Sequence, residues 1–204
     1  MRALSRETLA DWLANAEALE QDERGVKVAR LANGQFLKLF HLRRHVWRAR
    51  LFPPAERFAR NAAALAARGF VVPEEIETFW VDQKRGLSGC CYRPLPGVTL
   101  ETLLARTPET IPPLLPDLAG FIRELHEKGV YFRALHLGNI LALPRTGSDL
   151  PQSFGLIDVL DLRLYARPLS AWRITRNFRH LRASLLRRRQ DFPLESLFSL
   201  YAQK

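Results

Sequence analysis

The stretch FRALHLGNIL, residues 132–141, decides how this sequence is expected to fold. A helical pattern over residues 116–128, with Gly129 as a stop, comes before it. Two short apolar runs, residues 139–143 and 154–160, come after it, and a polar loop rich in turn residues separates them. We therefore predict a long helix, an irregular loop and a β-hairpin, in that order.

The part of the chain before residue 94 predicts a mainly antiparallel sheet and one helix packed with it. Asn33-Gly34 lies between two β-type runs, which is a strong hairpin signal. A later segment has Pro53-Pro54 at its start and Gly69 just past its end, as helix boundaries prefer. The expected elements are an N-terminal helix within residues 1–20, strands at 26–31, 35–40, 76–81 and 87–92, and a helix at 55–68.

Pro94-Leu95-Pro96-Gly97 interrupts this pattern and is the expected linker, because proline has no N–H to donate to a sheet. Helical patterns dominate beyond it, including a short helix at 99–105 and a basic amphipathic helix at 171–190. The predicted fold class is α+β, in a minimal two-lobed arrangement. Its parts are an N-lobe at 1–93, a hinge at 94–98 and a mainly helical C-lobe at 99–204.

Three residues, in this order along the chain, suit the chemistry of phosphoryl transfer. That reaction needs a cation on the nucleotide phosphates, oxygen ligands for Mg²⁺ and a carboxylate that accepts the proton of the acceptor hydroxyl. Lys38 is a lone cation inside an apolar strand, Asn139 lies at the end of the loop, and Asp158 lies in the last apolar run. Each has a structural alternative: an edge-strand lysine that reaches solvent, a turn asparagine and a solvated carboxylate at a strand end.

The loop of residues 132–141 resembles that of atypical kinases, especially bacterial ones with the pattern H-G-D-L-H-x-G-N-I-L. The sequence is thus similar to the protein-kinase-like superfamily, and within it to small bacterial lipopolysaccharide-core (Kdo/heptose) kinases and the related toluene-tolerance proteins. The resemblance implies ATP and Mg²⁺ as cofactors. It makes Asn139 and Asp158 metal ligands in the catalytic site and places Lys38 on the nucleotide phosphates. His136 takes a catalytic-loop position where many kinases have a phosphate-contacting lysine; its alternative is an ordinary hydrogen-bonding loop residue.

Several departures from the kinase pattern accompany the resemblance. Ala134 stands at the position of the general-base aspartate, and a methyl group cannot accept a proton. Leu160 replaces the glycine of D-F-G, and the expected phosphate-binding loop is not glycine-rich. Two residues of the predicted helix at 55–68 are candidates for the partner of Lys38: Glu56, which lies early on that helix, and Asn61. Asp161 is a second carboxylate that could act as the base.

The chain of 204 residues has a formal net charge of +10, which implies an anionic partner. The basic helix is either a solvated face or a contact surface for an anionic membrane or glycolipid. Nucleic acid is the weaker alternative, because aromatic residues for base stacking have no recognisable spacing. No apolar run is long enough for a signal peptide or a membrane span, so we expect a cytoplasmic protein, with a peripheral place at the inner face of the cytoplasmic membrane as an option. The contact residues in that helix would be Arg173, Arg176, Arg179 and Arg182.

The sequence is compatible with three functions. The first is an ATP-dependent phosphotransferase of the lipopolysaccharide-kinase type, acting on a sugar or glycolipid hydroxyl. The second is a pseudokinase that works as a binding or regulatory module in envelope and lipopolysaccharide biology, and Ala134 is the residue that favours it. The third is an RNA-associated basic domain like the small kinases of tRNA-modification complexes. The sequence predicts neither the acceptor nor the oligomeric state.

Overall fold

A computed structural model of the chain describes residues 1–41, 46–145 and 148–203. The chain divides into two compact units. Unit 1 consists of Met1–Ala67 and Val72–Leu95, and unit 2 consists of Arg68–Val71 and Pro96–Lys204.

A six-stranded, mainly antiparallel sheet forms the centre of unit 1. Its strands are β1 (Arg2–Ala3), β2 (Glu17–Asp22), β3 (Gly25–Arg30), β4 (Phe36–Phe40), β5 (Glu74–Asp82) and β6 (Leu87–Arg93). They lie in the order β1-β5-β6-β4-β3-β2, and only the β1–β5 pair is parallel. β3 and β4 form the hairpin that Asn33-Gly34 predicts.

Helices α1 (Arg6–Ala14) and α3 (Pro54–Ala66) cover the two faces of this sheet, and a short helix, α2 (Val46–Leu51), precedes α3. α3 buries residues spaced three or four apart, and its Phe58 ring packs against Phe40 of β4, with 6.0 Å between ring centroids. α1 packs through Trp12, whose ring meets Phe79 of β5 edge-on with centroids 5.8 Å apart. Leu37 of β4 belongs to the cluster that contains Phe79 and Trp12. Because side chains alternate along a strand, Leu37 and Phe40 lie on opposite faces of the sheet.

The predicted N-terminal helix is wrong in its length. α1 begins after Ser5, whose Oγ accepts a hydrogen bond from the backbone N–H of Thr8 at 3.0 Å, and it ends at Ala14. Residues 17–22 form β2 instead of continuing the helix, because their backbone pairs with β3. Ion pairs cross between these strands, from Glu17 to Arg30 and from Glu20 to Lys27. The helical spacing of apolar residues within one segment gives no information about whether its backbone pairs with a neighbouring strand.

Unit 2 is mainly helical and contains two small sheets. Its helices are α4 (Leu100–Arg106), α5 (Ile111–Glu127), α6 (Ala171–Arg188) and α7 (Leu194–Ala202). Its strands are β7 (Val98–Thr99), β8 (Val130–Phe132), β9 (Ile140–Arg145), β10 (Ser148–Leu156) and β11 (Leu162–Leu164). β9 lies between β10 and β7 in one sheet, and β8 pairs with β11 in the other. The α+β fold class, with a helical second half, is confirmed.

Two elements of unit 2 have bounds that differ from the prediction. α5 begins at Ile111 rather than at residue 116. Pro112 and Pro113 fall in its first turn, where backbone N–H groups have no helical partner, and the helix continues through Pro116, which lies inside it. β10 ends at Leu156 rather than continuing to residue 160. The strand stops because Asp158 has φ 52°, a left-handed conformation that a strand residue does not adopt.

A buried polar chain centred on His126 joins α5 to α6 and α7. His126 is 2% exposed, with Nε2 3.0 Å from Asn177 Oδ1 and Nδ1 2.9 Å from the Tyr201 hydroxyl. Asn177 donates its amide N–H to the Phe132 carbonyl at 2.6 Å, so its Oδ1 is the acceptor toward His126. Neutral His126 therefore carries its proton on Nε2, and the Tyr201 hydroxyl donates to Nδ1.

This arrangement predicts a pH-dependent stability. Burial lowers the pKa of His126 below its usual 6.5, an effect that the Asn177 hydrogen bond opposes. The unfolded chain takes up a proton near that usual pKa while the folded chain does not, so the contribution is complete above it and declines as the pH falls below it. We expect the melting temperature to drop between about pH 7.5 and about pH 5.5, and the His126→Gln variant to show a smaller drop. An equal drop in both proteins would contradict this origin.

Gly129, directly after α5, has a conformation that no other residue tolerates well. Its φ is 72°, and a Cβ at this position would collide with the backbone carbonyl oxygen of Tyr165 and lie 2.7 Å from that of Arg167. We expect Gly129→Ala to lower the free energy of unfolding by about 2 kcal/mol or more, measured by urea denaturation. The matched control is Gly120→Ala in the middle of α5, where a Cβ meets no neighbouring atom within 4 Å. That variant should be more stable than wild type by about 0.5–1 kcal/mol, because alanine favours helix.

Candidate functional site

The loop between β8 and β9 is held by its own backbone and by buried leucines. The Leu135 N–H donates to the Phe132 carbonyl at 3.1 Å, and the Asn139 N–H donates to the His136 carbonyl at 2.9 Å. Leu135 and Leu137 are each 1% exposed and anchor the loop in unit 2. The predicted irregular loop between a helix and a hairpin is thus present, with the short strand β8 at its start.

Asn139 and Asp158 are brought together at the end of this loop. Asn139 is buried, and its Nδ2 donates to the Ala134 carbonyl at 3.0 Å. The Ile157 N–H donates to the Asn139 carbonyl at 3.0 Å, which places Asp158 one residue from a direct backbone contact with Asn139. Asp158 is exposed, and its left-handed backbone turns the chain away from the direction of β10. The structure therefore puts the two predicted metal ligands in one neighbourhood of unit 2.

His136 lies in the same neighbourhood and is half-buried. Its Nδ1 is buried and makes no hydrogen bond with any residue that the structure describes. Burial lowers the pKa of His136 below 6.5, and Arg188 lowers it further, while Glu101 and Asp158 act in the opposite direction. The imidazole is neutral at pH 7, so it does not reproduce the permanent charge of the lysine that many kinases have at this position.

Glu101 and Arg188 complete the surroundings of His136 and were not predicted. Oε1 of Glu101, in the first turn of α4, accepts hydrogen bonds from Arg188 and from Gln190, the latter at 2.7 Å. A Cβ on Gly138 would lie 2.5 Å from Glu101 Oε2, so the missing side chain lets this carboxylate approach the loop. No motif along the chain reveals the cluster, because its members are distant in sequence and meet only in the fold.

Lys38 and Glu56 lie in unit 1. Lys38 is half-buried in the middle of β4, and its Nζ is 5.6 Å from the ring centroid of Phe58, on the α3 side of the sheet. Glu56 lies in the first turn of α3, with Oε1 3.8 Å from the α-amino group of Met1. Asn61 is half-buried on the same helix. Convergence of Lys38 with Asn139 and Asp158 stays a prediction.

Asp161 lies beside Arg133 of the loop. The Arg133 N–H donates to the Asp161 carbonyl at 3.2 Å, and the Asp161 carboxylate is 3.6 Å from the Arg133 guanidinium. Ala134, the next residue, is half-buried, as is Leu160 at the glycine position of the D-F-G pattern. A carboxylate is therefore close to the loop, and its partner is an arginine of that same loop.

The basic helix α6 packs through one of its faces on the rest of unit 2, as the sequence predicts. Phe178, Leu181 and Leu185 are buried, whereas Ile174 is half-buried. The predicted contact arginines differ in their surroundings. Arg176 and Arg179 are exposed, Arg182 binds Glu195 at 2.5 Å, and half-buried Arg173 lies 4.3 Å from the Tyr165 ring centroid.

Comparison with solved structures places this geometry in a known fold. The whole chain aligns with 90% of WaaP, in a structure titled as its complex with acyl carrier protein, at a TM-score of 0.57 and 17% identity. The fold is that of protein kinases. A second similar structure is the Rio2 kinase–ADP/Mg²⁺–phosphoaspartate complex from Chaetomium thermophilum, with a TM-score of 0.52 and 16% identity over 87% of this chain and 58% of that one. The resemblance to protein-kinase-like proteins is confirmed at the level of the fold.

Sequence comparisons add no closer relative. No protein-family profile matches the chain, and no curated protein sequence matches it. Within the described ranges, none of the helices combines the length and the apolar composition needed to cross a bilayer.

Proposed function

We propose that this protein is an ATP- and Mg²⁺-dependent phosphotransferase of the lipopolysaccharide-core sugar kinase type, with a modified catalytic loop. The observation that carries the proposal is the hydrogen bond from the Ile157 N–H to the Asn139 carbonyl. It keeps Asp158 beside Asn139 at the end of a loop that, in protein kinases, supplies the metal ligands in this order. The kinase fold makes a shared nucleotide site the simplest reason for this pairing.

The atoms available at this site fit Mg²⁺. The amide nitrogen of Asn139 donates to the Ala134 carbonyl, so the amide oxygen is the atom of this side chain that would bind the metal. Asp158 adds an exposed carboxylate. Among the residues that the structure describes, no group of three or more His, Cys, Asp or Glu side chains is placed to hold an ion. One carboxylate and one amide suit a hard cation that takes its other ligands from nucleotide phosphates and water. When bound, Mg²⁺ would neutralise the charge that develops on the transferred phosphoryl group.

In this proposal Lys38 contacts the phosphates of ATP from unit 1. Its position in the middle of β4, on the α3 side, is the one that the kinase pattern assigns to the phosphate-contacting lysine. Glu56 or Asn61 of α3 would orient its amine; Asn61 is half-buried, and Glu56 is exposed with Met1 close to it. Rio2 binds ADP and Mg²⁺ on the same fold, which supports a nucleotide for this chain.

Proton removal from the acceptor hydroxyl is the weak step of the proposed reaction. Ala134 cannot perform it, so we assign the base to Asp161, the carboxylate beside Arg133. The Arg133 guanidinium, 3.6 Å away, orients that carboxylate. Neutral His136, half-buried beside Asn139, would donate or accept a hydrogen bond at the transferred phosphate through its imidazole.

A second function is favoured by Ala134 itself. A chain with this residue at the base position could keep the nucleotide and lose turnover, and would then act as a pseudokinase that binds a partner in envelope or lipopolysaccharide biology. Under either function we place the protein in the cytoplasm. Exposed Arg176 and Arg179 of α6, with Arg173 and Arg182 beside them, would meet an anionic glycolipid or membrane surface.

The test of the nucleotide site is a calorimetric titration of the full chain with ATP, with Mg²⁺ present or removed by a chelator. We expect binding in Mg²⁺ and a large loss of affinity without it, because the oxygen ligands repel the phosphates when no cation lies between them. Absence of binding under both conditions, or equal binding under both, would refute a magnesium-dependent site.

A further inference from the structure

Helix α2, which the sequence did not predict, presents an exposed apolar face in unit 1. The α2 face consists of Trp47 and Leu51, and the exposed side chains of Val46, at the start of the helix, and Phe52, directly after it, flank this face. Trp47, Leu51 and Phe52 are 62%, 66% and 65% exposed, and Val46 is 45% exposed. Such a concentration of large apolar side chains in seven residues differs from the scattered surface leucines of ordinary soluble proteins and marks an interaction surface.

The helix orients these side chains in a specific way. Successive residues of an α-helix are rotated by about 100°, so Trp47 and Leu51, four residues apart, lie on one side. Ala49 points to the opposite side and is buried, with 5% exposure. Arg48 and Arg50, both exposed, fall on the two flanks between these sides. The result is an outward apolar ridge with an arginine on each side.

The surrounding sequence is suited to an anionic surface. Residues 24–55 contain no Asp or Glu, so no acidic residue of this segment opposes the arginines. A ridge projects rather than forming a groove, and therefore fits a deformable partner better than a second protein surface. Large apolar side chains between arginines are also the composition of helices that lie in the interface of a bilayer.

We propose that the α2 face inserts into the headgroup region of a membrane that contains anionic lipids. Trp47, Leu51 and Phe52 would enter the boundary between headgroups and acyl chains, while Arg48 and Arg50 bind lipid phosphates. The contact is independent of nucleotide binding and of α6. It would bring a glycolipid-directed protein to the surface where its acceptor lies. Because the contact does not involve the nucleotide site, a failure of this inference leaves the proposed nucleotide site untouched.

The experiment is co-sedimentation of the full chain with vesicles of phosphatidylcholine alone or of equimolar phosphatidylcholine and phosphatidylglycerol. We expect binding to the anionic vesicles only. Replacing both Trp47 and Leu51 by glutamine should weaken it by about tenfold or more, because apolar insertion supplies much of the affinity. The Arg48→Gln, Arg50→Gln double variant should weaken it as well and reduce its salt dependence. All changed side chains are exposed, so the melting temperature should stay near that of wild type.

The matched control is the double variant Trp172→Gln, Leu186→Gln on α6. These side chains are 63% and 73% exposed, and Arg176 lies 5.2 Å from the Trp172 ring centroid, much as Arg48 lies 6.0 Å from that of Trp47. This control should bind vesicles like wild type. Loss of binding in the control but not in the α2 variant would overturn the proposal. A wild-type dimer that becomes monomeric when Trp47 and Leu51 are replaced would also overturn it, by assigning the face to a second copy of the chain.

Discussion

Replacing Asp158 by alanine should abolish magnesium-dependent nucleotide binding. The change removes the one carboxylate of the proposed site and leaves a single amide oxygen, which is too little to hold a divalent cation against water. The expected result is at least a hundredfold loss of ATP affinity in Mg²⁺, on the order of what a lost metal ligand costs, with little effect when Mg²⁺ is absent. The measurement is the calorimetric titration used for wild type.

The left-handed backbone of Asp158 requires a second variant. Alanine at φ 52° adds backbone strain, so a loss of binding in Asp158→Ala could come from a displaced loop. Asparagine tolerates this conformation and removes only the charge. We expect Asp158→Asn to lose Mg²⁺-dependent binding while keeping the wild-type melting temperature. Asp161→Asn, an exposed carboxylate three residues away, is the matched control and should bind ATP normally. Wild-type affinity in Asp158→Asn would make Asp158 a structural residue.

Ala134→Asp should raise phosphoryl transfer by about 10²-fold or more, because it adds a base at the position of the kinase aspartate, where proton transfer no longer depends on Asp161 and its Arg133 partner. The Ala134 carbonyl, rather than its side chain, holds Asn139, so the substitution leaves the hydrogen bond within the loop intact. Activity is measured as ADP release from ATP, with and without a lipopolysaccharide-core oligosaccharide. The gain should appear mainly when the oligosaccharide is present.

Ala134→Asn separates the base from a simple effect of side-chain size. Asparagine has nearly the shape of aspartate and does not act as a base, so it should give no gain. If wild type already turns over rapidly and Asp161→Asn stops it, Asp161 is the base and the restored aspartate adds little. If Ala134→Asp binds ATP but remains inactive, the acceptor site is missing and the pseudokinase function is correct.

Local signals in the sequence predicted much of the fold. Asn33-Gly34 marks the β3–β4 hairpin, because Gly34 supplies the left-handed backbone, φ 82°, that ends the turn closed by its N–H on the Leu31 carbonyl. Proline at the start of α3 fixes where that helix begins. β2 and α2 escaped prediction for different reasons. β2 exists because β3 lies beside it, and α2 is a short helix with apolar side chains pointing outward, which contradicts the usual amphipathic pattern.

In the candidate site, too, residues within one continuous stretch were predicted, and contacts between distant parts of the chain were not. Asn139 and Asp158 were predicted because they follow a kinase-type spacing within one continuous region, and the structure brings them together. Glu101 and Arg188 were not, because their contact joins the start of α4 to the end of α6. The neutral state of His136 depends on burial, which a motif does not encode.

The acidic edge strand β2 has a consequence for how copies of this chain meet. An edge strand presents unpaired N–H and C=O groups that invite another strand. Here Glu17, Glu20 and Asp22 form ion pairs with Arg30 and Lys27 of β3, so the terminal ladder is a row of alternating charges with almost every side chain in solvent. A second copy docking there would set carboxylates against carboxylates and displace their counterions. The charges of β2 therefore disfavour pairing of this sheet edge with a strand of a second copy, and so protect this basic chain from fibre-like association.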